Sequence, residues 1–354
     1  MGIVEVKVGV IRAELPRSVG TARAHWEDRA GVLIILRDEE GRIGLGEASP
    51  LPGYSPDTLE QCEAALRSVA SVIRETGALP LVPPDAPPAA RFALETAGLD
   101  LAAQAAGKSL GEFFLGRRRA SVPRCGLIDG MPATWANTAR ELMARGIRVM
   151  KVKVGWPGVS IDVLRAELRA LRKVVGDCTL RLDANGAWSP SEAALRLGAL
   201  ASSDVEFVEQ PTAPGGLERM GEAALPWAAD ESLRNPHEVE RLLKSSCSVF
   251  VLKPAVLGGV VACGLLAARA HEHEIGAVAS HLFDGPVALA ACAELALSLP
   301  GRPLASGVDT HAALAAWPPI DIPQLARPGE IVTSPWPGLG FSDQARQEIA
   351  SWIP

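Results

Sequence analysis

From residue 121 onward the sequence repeats one pattern: a short apolar segment, a loop and a helical segment. The repeat length of roughly 20 to 30 residues is that of one strand–helix unit, and such units give parallel strands. Eight strands with a helix after each of the first seven predict a (β/α) barrel rather than an open doubly wound sheet, because no GxGxxG follows the first strand. The predicted strands are Val122–Leu127, Val149–Val154, Leu180–Asp183, Val205–Val208, Pro226–Ala229, Val249–Leu252, Ala277–Ser280 and Leu304–Ser306. The predicted helices are Trp135–Ala144, Ile161–Val174, Pro190–Ala201, Gly216–Ala223, Pro236–Lys244, Gly259–His273 and Pro286–Leu299.

The first 120 residues have a different pattern and predict a separate α+β unit. Alternating apolar and polar residues with intervening turns indicate a small antiparallel sheet, and two helical segments follow it. The barrel is predicted over residues 121–317. The Pro- and Gly-rich tail, 318–354, is expected to pack back on the first unit. The predicted strands are Val4–Ala13, Gly31–Arg37 and Gly44–Ala48, and the predicted helices lie at 59–72 and Ala89–Ala106.

Composition narrows the class of protein. Of 354 residues, 48% are hydrophobic, as in a globular protein. The net charge is −6, so the basic surface of a nucleic-acid binder is missing. The longest apolar stretch, Val256 to Ala270, contains glycines and is shorter than the ~20 residues that span a bilayer. We therefore expect neither a nucleic-acid nor a membrane partner. The N-terminus lacks the apolar run of a signal peptide, and six scattered cysteines without a CxxC pair indicate reduced core thiols in a cytoplasmic protein.

Charged residues stand at the ends of five successive predicted strands, where the active sites of parallel barrels lie. Three of these strand ends carry carboxylates, Asp183, Glu209 and Asp230. Three uncompensated negative charges that converge on one point require a cation. All-oxygen ligation with open positions favours Mg²⁺ over Zn²⁺, so these residues are predicted metal ligands.

Lysines occupy the remaining two strand ends. Lys151 and Lys153 alternate across one residue and therefore face the same side of their strand, toward the barrel mouth. A second ammonium and a nearby metal are expected to lower the pKa of Lys153 and make it a general base. Lys253 lies four strands round, on the opposite wall. This arrangement predicts proton abstraction α to the carboxylate of a small-molecule substrate.

Five segments together resemble the enolase superfamily, muconate-lactonizing subgroup: KVKVG (151–155), LDANGAW (182–188), VEQP (208–211), DES (230–232) and VLKP (251–254). The resemblance implies a (β/α)7β TIM-like barrel with an N-terminal α+β capping domain. It also implies that Asp183, Glu209 and Asp230 bind Mg²⁺, that Lys153 is the base, that Lys151 assists it and that Lys253 faces the intermediate.

Within the subgroup, the segments GEASPLPGYSPDTLEQ (46–61), DANGAW (183–188), DESL (230–233) and ASGVDT (305–310) most resemble the o-succinylbenzoate synthases of menaquinone biosynthesis. The dipeptide epimerases of the subgroup carry Asp-x-Asp at the eighth strand. This chain has Gly307-Val308-Asp309 instead, which argues against that activity. The loop after the seventh strand also departs from the serine-rich loop of many synthases.

Four residues are predicted to contact substrate. Ser280 ends the predicted seventh strand, His281 follows it in the loop, and Gly307 directly follows the predicted eighth strand. The resemblance places the loop that carries Tyr54 over the barrel mouth, where it would exclude water.

The first functional hypothesis is a Mg²⁺-dependent dehydration of 2-succinyl-6-hydroxy-2,4-cyclohexadiene-1-carboxylate to 2-succinylbenzoate through an enediolate. The second is racemisation of N-acylamino acids, with Lys153 and Lys253 as opposed bases. A non-catalytic binding barrel is the third, and it explains none of the charged strand ends. The oligomeric state stays open.

Overall fold

The N-terminal unit is built on an antiparallel sheet in a computed structural model that describes residues 2–20, 25–220 and 223–354. The sheet order is β1-β2-β3, and the first two strands extend beyond the predicted bounds. The extra residues form a long hairpin whose outer part is polar, so apolar alternation did not mark it. The strands are β1 (Ile3–Gly20), β2 (His25–Asp38) and β3 (Ile43–Ala48).

Helices cover one face of this sheet. Thr58 begins the first helix with a capping box, in which its hydroxyl accepts from the Gln61 amide and the Gln61 side chain accepts from the Thr58 amide. Both predicted helices are present, and a third, short helix follows them. They are α1 (Leu59–Thr76), α2 (Pro88–Ala105) and α3 (Leu110–Leu115).

A curled sheet of seven parallel strands follows, in chain order. The predicted first strand is divided at Arg124: β4 (Ser121–Pro123) pairs outside the barrel, and only the second part enters it. Pro123, which has no amide hydrogen, ends the outer part. The barrel strands are β5 (Cys125–Ile128), β6 (Val149–Lys153), β7 (Thr179–Asp183), β8 (Val205–Glu209), β9 (Trp227–Ala229), β10 (Val249–Leu252) and β11 (Gly276–Ala279).

The predicted eighth strand, Leu304–Ser306, is not a full strand. Two residues close the barrel: Ser306 bridges Arg124 next to β5, and Gly307 bridges Ser280 next to β11. The amide of Cys125 donates to the Ser306 carbonyl, and the amide of Gly307 donates to the Ala279 carbonyl. The closure is therefore parallel and lies at the predicted place, but it is too short to form a ladder.

The helices that cover the barrel begin at the predicted caps or within a few residues of them. The exception is Gly216–Ala223, where that prediction is wrong: only the 3-10 turn Leu217–Arg219 forms, and residues 221 and 222 lie outside the described residues. The predicted segment is only eight residues long and contains a second glycine, Gly221, which lowers its helix propensity. The helices are α4 (Pro132–Ala144), α5 (Ile161–Val175), α6 (Pro190–Leu200), α7 (Pro236–Leu242), α8 (Pro254–Leu257), α9 (Val260–Glu272) and α10 (Pro286–Ser298).

The tail contacts both units. Its strand β12 (Glu330–Val332) pairs with β4, and its helix α11 (Asp343–Ala350) packs on β3. From α11, the buried Arg346 side chain forms an ion pair with Asp100 of α2 and donates to the carbonyl of Ile43. The division of the chain at residues 120 and 317 stays a prediction.

All six cysteines are buried and free, which fits core thiols. Among the described residues, no helix has the length and apolar character needed to cross a membrane.

A buried carboxylate joins the N-terminal sheet to the barrel. Glu47 of β3 is 1% exposed and accepts from the amides of Gly285 (2.6 Å), Val287 (3.1 Å) and Ala288 (3.3 Å) at the start of α10. Ser49 also donates to it. These amides lack partners within the helix, so Glu47 caps α10 from another unit.

Because Glu47 is buried, we expect the free energy of unfolding to depend on pH. Burial raises the pKa of Glu47 to about 7 against the opposing effect of its hydrogen bonds, compared with 4.5 for the free side chain. The folded state thus binds the Glu47 proton more tightly than the unfolded state, and this contribution is lost as the pH rises from about 4.5 to about 7. Relative to Glu47→Gln, the wild type should lose on the order of 3 kcal/mol of unfolding free energy over that range. Urea unfolding of both proteins at several pH values measures this difference, and parallel pH profiles would contradict it.

Candidate active site

Three predicted site residues lie side by side at the ends of three neighbouring strands. Lys153 of β6 is in register with Asp183 of β7, which is in register with Glu209 of β8. Asp230 directly follows β9, and Lys253 directly follows β10. Because all these strands are parallel, the five side chains share one rim of the barrel.

Two lysines bind the carboxylates on one wall. The Lys153 ammonium donates to Asp183 Oδ2 (2.6 Å) and to Asn185 Oδ1 (2.7 Å). The Lys151 ammonium donates to both oxygens of Glu209 (2.8 Å each) and lies 3.4 Å from Asp183 Oδ2. The two lysines thus face the same side of β6 and share one carboxylate.

The third lysine stands on the other wall, four strands from β6 in the sheet. Lys253 forms an ion pair with Asp230 and donates to the Tyr54 hydroxyl (2.8 Å). The same hydroxyl lies 3.2 Å from Asp230 Oδ2. Arg234 packs over the Tyr54 ring at 4.4 Å and donates to the Tyr54 carbonyl (2.9 Å). A residue of the N-terminal unit therefore reaches the charged centre.

The ionisation of these groups reflects a shortage of positive charge. Burial opposes ionisation of Asp183, but Lys153 and Lys151 outweigh it and hold the pKa of Asp183 below its usual range. Burial and the charge of Asp183 raise the pKa of Glu209. Burial alone would lower the pKa of Lys151, but Glu209 and Asp183 raise it above its ordinary value. One further cation would relieve the repulsion between the carboxylates.

The donor set fits a divalent cation chemically. Asp183, Glu209 and Asp230 offer only oxygen and are at most 5% exposed, as Mg²⁺ ligands in a barrel mouth should be. Among the described residues, however, no three acidic, His or Cys side chains are already grouped closely enough to hold an ion, since the lysine ammoniums occupy the carboxylates.

A cavity of about 550 Å³ opens above the lysines. The three carboxylates do not line it, because they lie behind the ammonium groups. Seven of the ten predicted site residues do line it: Tyr54, Lys151, Lys153, Lys253, Ser280, His281 and Gly307.

The loop after β11 and the barrel closure form one side of this cavity. Gly307 approaches Ser280 so closely that a Cβ atom on it would lie 3.1 Å from the Ser280 hydroxyl. The His281 ring stacks on His311, with centroids 4.7 Å apart. Burial, with the charges of Lys151 and Lys253, lowers the pKa of His281 to about 3, so its ring is neutral.

Several cavity residues escaped the sequence prediction. Asn185 has a left-handed backbone conformation (φ +46°), and its side-chain oxygen accepts a hydrogen bond from the Lys153 ammonium. Its side-chain amide donates to Glu231 (3.3 Å). Asn185 lies two residues after Asp183, and Glu231 directly follows Asp230, so their closeness in sequence to predicted ligands is a signal that could have identified them. His311 had no such signal, because only the folded chain brings it to His281.

An acidic residue at the barrel closure is paired with two arginines. Asp309 accepts from Arg124 (3.0 Å) and from Arg145 (2.6 and 2.7 Å), and Arg145 also donates to the Thr310 hydroxyl. Arg145, Asp309 and Thr310 line the cavity. The two guanidinium groups therefore offset the negative charge of Asp309.

Family models match both parts of the chain. A model described as "Enolase C-terminal domain-like" matches residues 134–345, and one described as "MenC, N-terminal domain" matches residues 13–101.

Similar proteins have different activities. An L-Lys-D/L-Arg epimerase from Methylococcus capsulatus is 32% identical over 85% of this chain and 88% of its own length. An o-succinylbenzoate synthase from Klebsiella pneumoniae is 30% identical over 89% of this chain and 96% of its own length. Among solved structures, a dipeptide epimerase from Methylococcus capsulatus complexed with Mg and the dipeptide L-Arg-D-Lys is 28% identical. It has a TM-score of 0.82 and covers 96% of this chain and 99% of that one.

Proposed function

This chain belongs to the enolase superfamily, in the group of the muconate-lactonizing enzymes, and from that membership we propose that it is an o-succinylbenzoate synthase. Relatives in this family are enzymes, and they include lyases and isomerases. The proposed reaction dehydrates 2-succinyl-6-hydroxy-2,4-cyclohexadiene-1-carboxylate to 2-succinylbenzoate, a step of menaquinone biosynthesis. The observation that carries the reaction class is the pair of lysine walls, Lys151 and Lys153 facing Lys253, over three buried carboxylates.

Lys153 is the proposed base. It would take the proton from the ring carbon that bears the carboxylate, and the C–O bond to the ring hydroxyl would then break. Hydroxide leaves with a proton, which Lys153 can return, so the products are the aromatic ring and water. Lys151 supplies positive charge beside the base, and Lys253 faces the developing negative charge from the other wall.

Asp183, Glu209 and Asp230 are the residues that would hold Mg²⁺. When bound, the ion would supply an electrophilic centre for the substrate carboxylate and offset its negative charge. The Tyr54 hydroxyl lies beside Asp230 and would help to close that side of the site against water.

The pairing of Asp309 supports a synthase over a dipeptide epimerase. A dipeptide carries an ammonium group, which needs an uncompensated carboxylate. Here Asp309 is already neutralised by Arg124 and Arg145. A substrate that has no ammonium group therefore fits this side of the cavity better than a dipeptide does.

Racemisation of N-acylamino acids is the second candidate. It is favoured by the position of Lys153 and Lys253 on opposite walls, since two bases on opposite faces are what inversion of a carbon centre requires. An N-acylamino acid also lacks a free ammonium group, so it does not need the Asp309 carboxylate, which is already paired with Arg124 and Arg145.

Turnover assays with three substrates test the proposal. The purified protein with Mg²⁺ should convert the cyclohexadiene carboxylate to 2-succinylbenzoate, and ultraviolet absorbance measures this conversion. It should not epimerise dipeptides, which is tested by measuring deuterium incorporation from D₂O into the dipeptide. Dipeptide epimerisation without dehydration would overturn the assignment, and racemisation of an N-acylamino acid alone would select the second candidate.

Chelation should abolish activity. We expect EDTA to reduce turnover by at least about 10³-fold and Mg²⁺ to restore it, because no protein group replaces the charge of the ion. Asp230→Asn should weaken Mg²⁺ binding, measured as the shift of the melting temperature with added Mg²⁺. Asp177→Asn, at an exposed loop position, is the matched control and should keep the full shift. Wild-type turnover in the chelated protein would contradict the metal assignment.

A further inference from the structure

We propose that Arg29 of β2 is a positioning residue that joins two loops over the cavity. One is the cap loop, residues 49–55, which carries Tyr54. The other is the barrel loop, residues 280–285, which carries His281. The inference rests on the contacts of Arg29 itself, and only its kinetic test depends on the proposed function.

The Arg29 guanidinium holds backbone carbonyls from both loops. On the cap loop, Nη1 donates to Pro50 (2.9 Å) and Nη2 to Ser49 (2.7 Å). On the barrel loop, Nε donates to Phe283 (3.1 Å) and Nη2 to Leu282 (3.3 Å). Arg29 is only 3% exposed, so water cannot readily replace these partners.

A second residue of the same strand contacts the same two loops. Trp26 donates from Nε1 to the carbonyl of Pro52 in the cap loop (3.1 Å), and its ring centroid lies 6.2 Å from that of Phe283 in the barrel loop. Trp26 and Phe283 both line the cavity. The first residues of β2 therefore form a junction between the two loops, in which Arg29 makes the polar contacts.

The chemical groups of the site do not depend on this junction. The lysines and carboxylates stand at the ends of barrel strands, held by the sheet. The two loops instead supply the Tyr54 hydroxyl, which contacts Lys253, and the His281 ring, and both side chains line the cavity. Loss of Arg29 should therefore loosen the substrate-facing wall and leave the reacting centre in place.

No other side chain can easily take the role of Arg29. Its planar fork presents donors in fixed directions to carbonyls on both sides, whereas a lysine ammonium has three donors at a single point. Arg29→Lys should thus preserve the charge but reach only one loop. Arg29→Gln removes both the charge and most of the donors.

Amide hydrogen exchange tests the junction without any substrate. In Arg29→Gln, exchange should rise at least about tenfold in both loops together, at amides such as Leu51, which donates to the Ser55 hydroxyl, and Leu282, which donates to Asp284. Arg29→Lys should show an increase in at least one loop.

Arg172→Gln is the matched control. Its guanidinium also holds backbone carbonyls of separate loops, Gly176, Cys178 and Asp204, but it is not among the cavity residues. This variant should leave exchange in the cap and barrel loops unchanged. Wild-type protection of both loops in Arg29→Gln would overturn the proposal. So would failure of both Arg29 variants to fold while the control folds, since Arg29 would then be needed for folding in general.

Kinetics supply the second measurement, which rests on the proposed function. Arg29→Gln should raise KM for the cyclohexadiene carboxylate about tenfold and change kcat less than about threefold, because binding rather than proton transfer is affected. A purely structural role would lower the melting temperature without this split. If the wild type has no synthase activity, the proposed function fails, and the exchange result still decides the role of Arg29.

Discussion

Lys153→Ala is expected to remove both dehydration and α-proton exchange. Removal of a general base typically costs about 10²–10⁴-fold in rate, and here the loss should exceed that range because a positive charge disappears as well. Asp183 and Asn185 would also lose their common donor, which leaves a buried carboxylate with weaker compensation. Two measurements follow: 2-succinylbenzoate formation, and deuterium incorporation at the carboxylate-bearing carbon of the recovered substrate in D₂O.

The matched control is Lys173→Ala, which removes an exposed lysine of α5. It should keep wild-type turnover and melting temperature. If Lys153→Ala retains more than about a tenth of wild-type turnover, Lys153 is not the base. Unchanged Mg²⁺ binding by Lys153→Ala would show that the loss arises from the lysine rather than from a damaged metal site.

The sequence predicted the barrel well because each strand–helix unit is marked locally. Apolar strands and capped helices follow one another, so β6 to β11 lie close to their predicted positions. The end regions of the barrel were harder to predict. The division at Arg124 depends on pairing between β4 and β12, more than 200 residues away, and the two-residue closure at Ser306 and Gly307 depends on contacts with both edges of the sheet.

The same contrast holds for the site. Strand-end residues such as Asp183 and Glu209 could be predicted because register and parallel direction bring them together. Arg29 could not, since its partner Phe283 is 254 positions away and an arginine in a strand has no local mark of such a contact. His311 and the two-arginine pairing of Asp309 are likewise products of tertiary packing.

Lys253→Arg should separate dehydration from racemisation. In a dehydration with one base, Lys253 only stabilises charge, so arginine, which keeps the cation but cannot act as a base at neutral pH, should retain measurable turnover. Racemisation needs a base on each face of the carbon, so the same variant should lose it by at least about 10²-fold.

The control for this experiment is Lys244→Arg, an exposed lysine after α7, which should retain every activity of the wild type. Because guanidinium is larger than ammonium, binding of 2-succinylbenzoate by calorimetry should accompany the kinetics. A variant that binds product but neither dehydrates nor racemises would show that the compact ammonium of Lys253, paired with Asp230 and Tyr54, is itself required. Wild-type racemisation of an N-acylamino acid by Lys253→Arg would mean that Lys253 is not the second base. The opposed-wall interpretation would then lose its chemical basis, since Lys253, which faces Lys151 and Lys153 from the end of β10, would take no part in proton transfer to carbon.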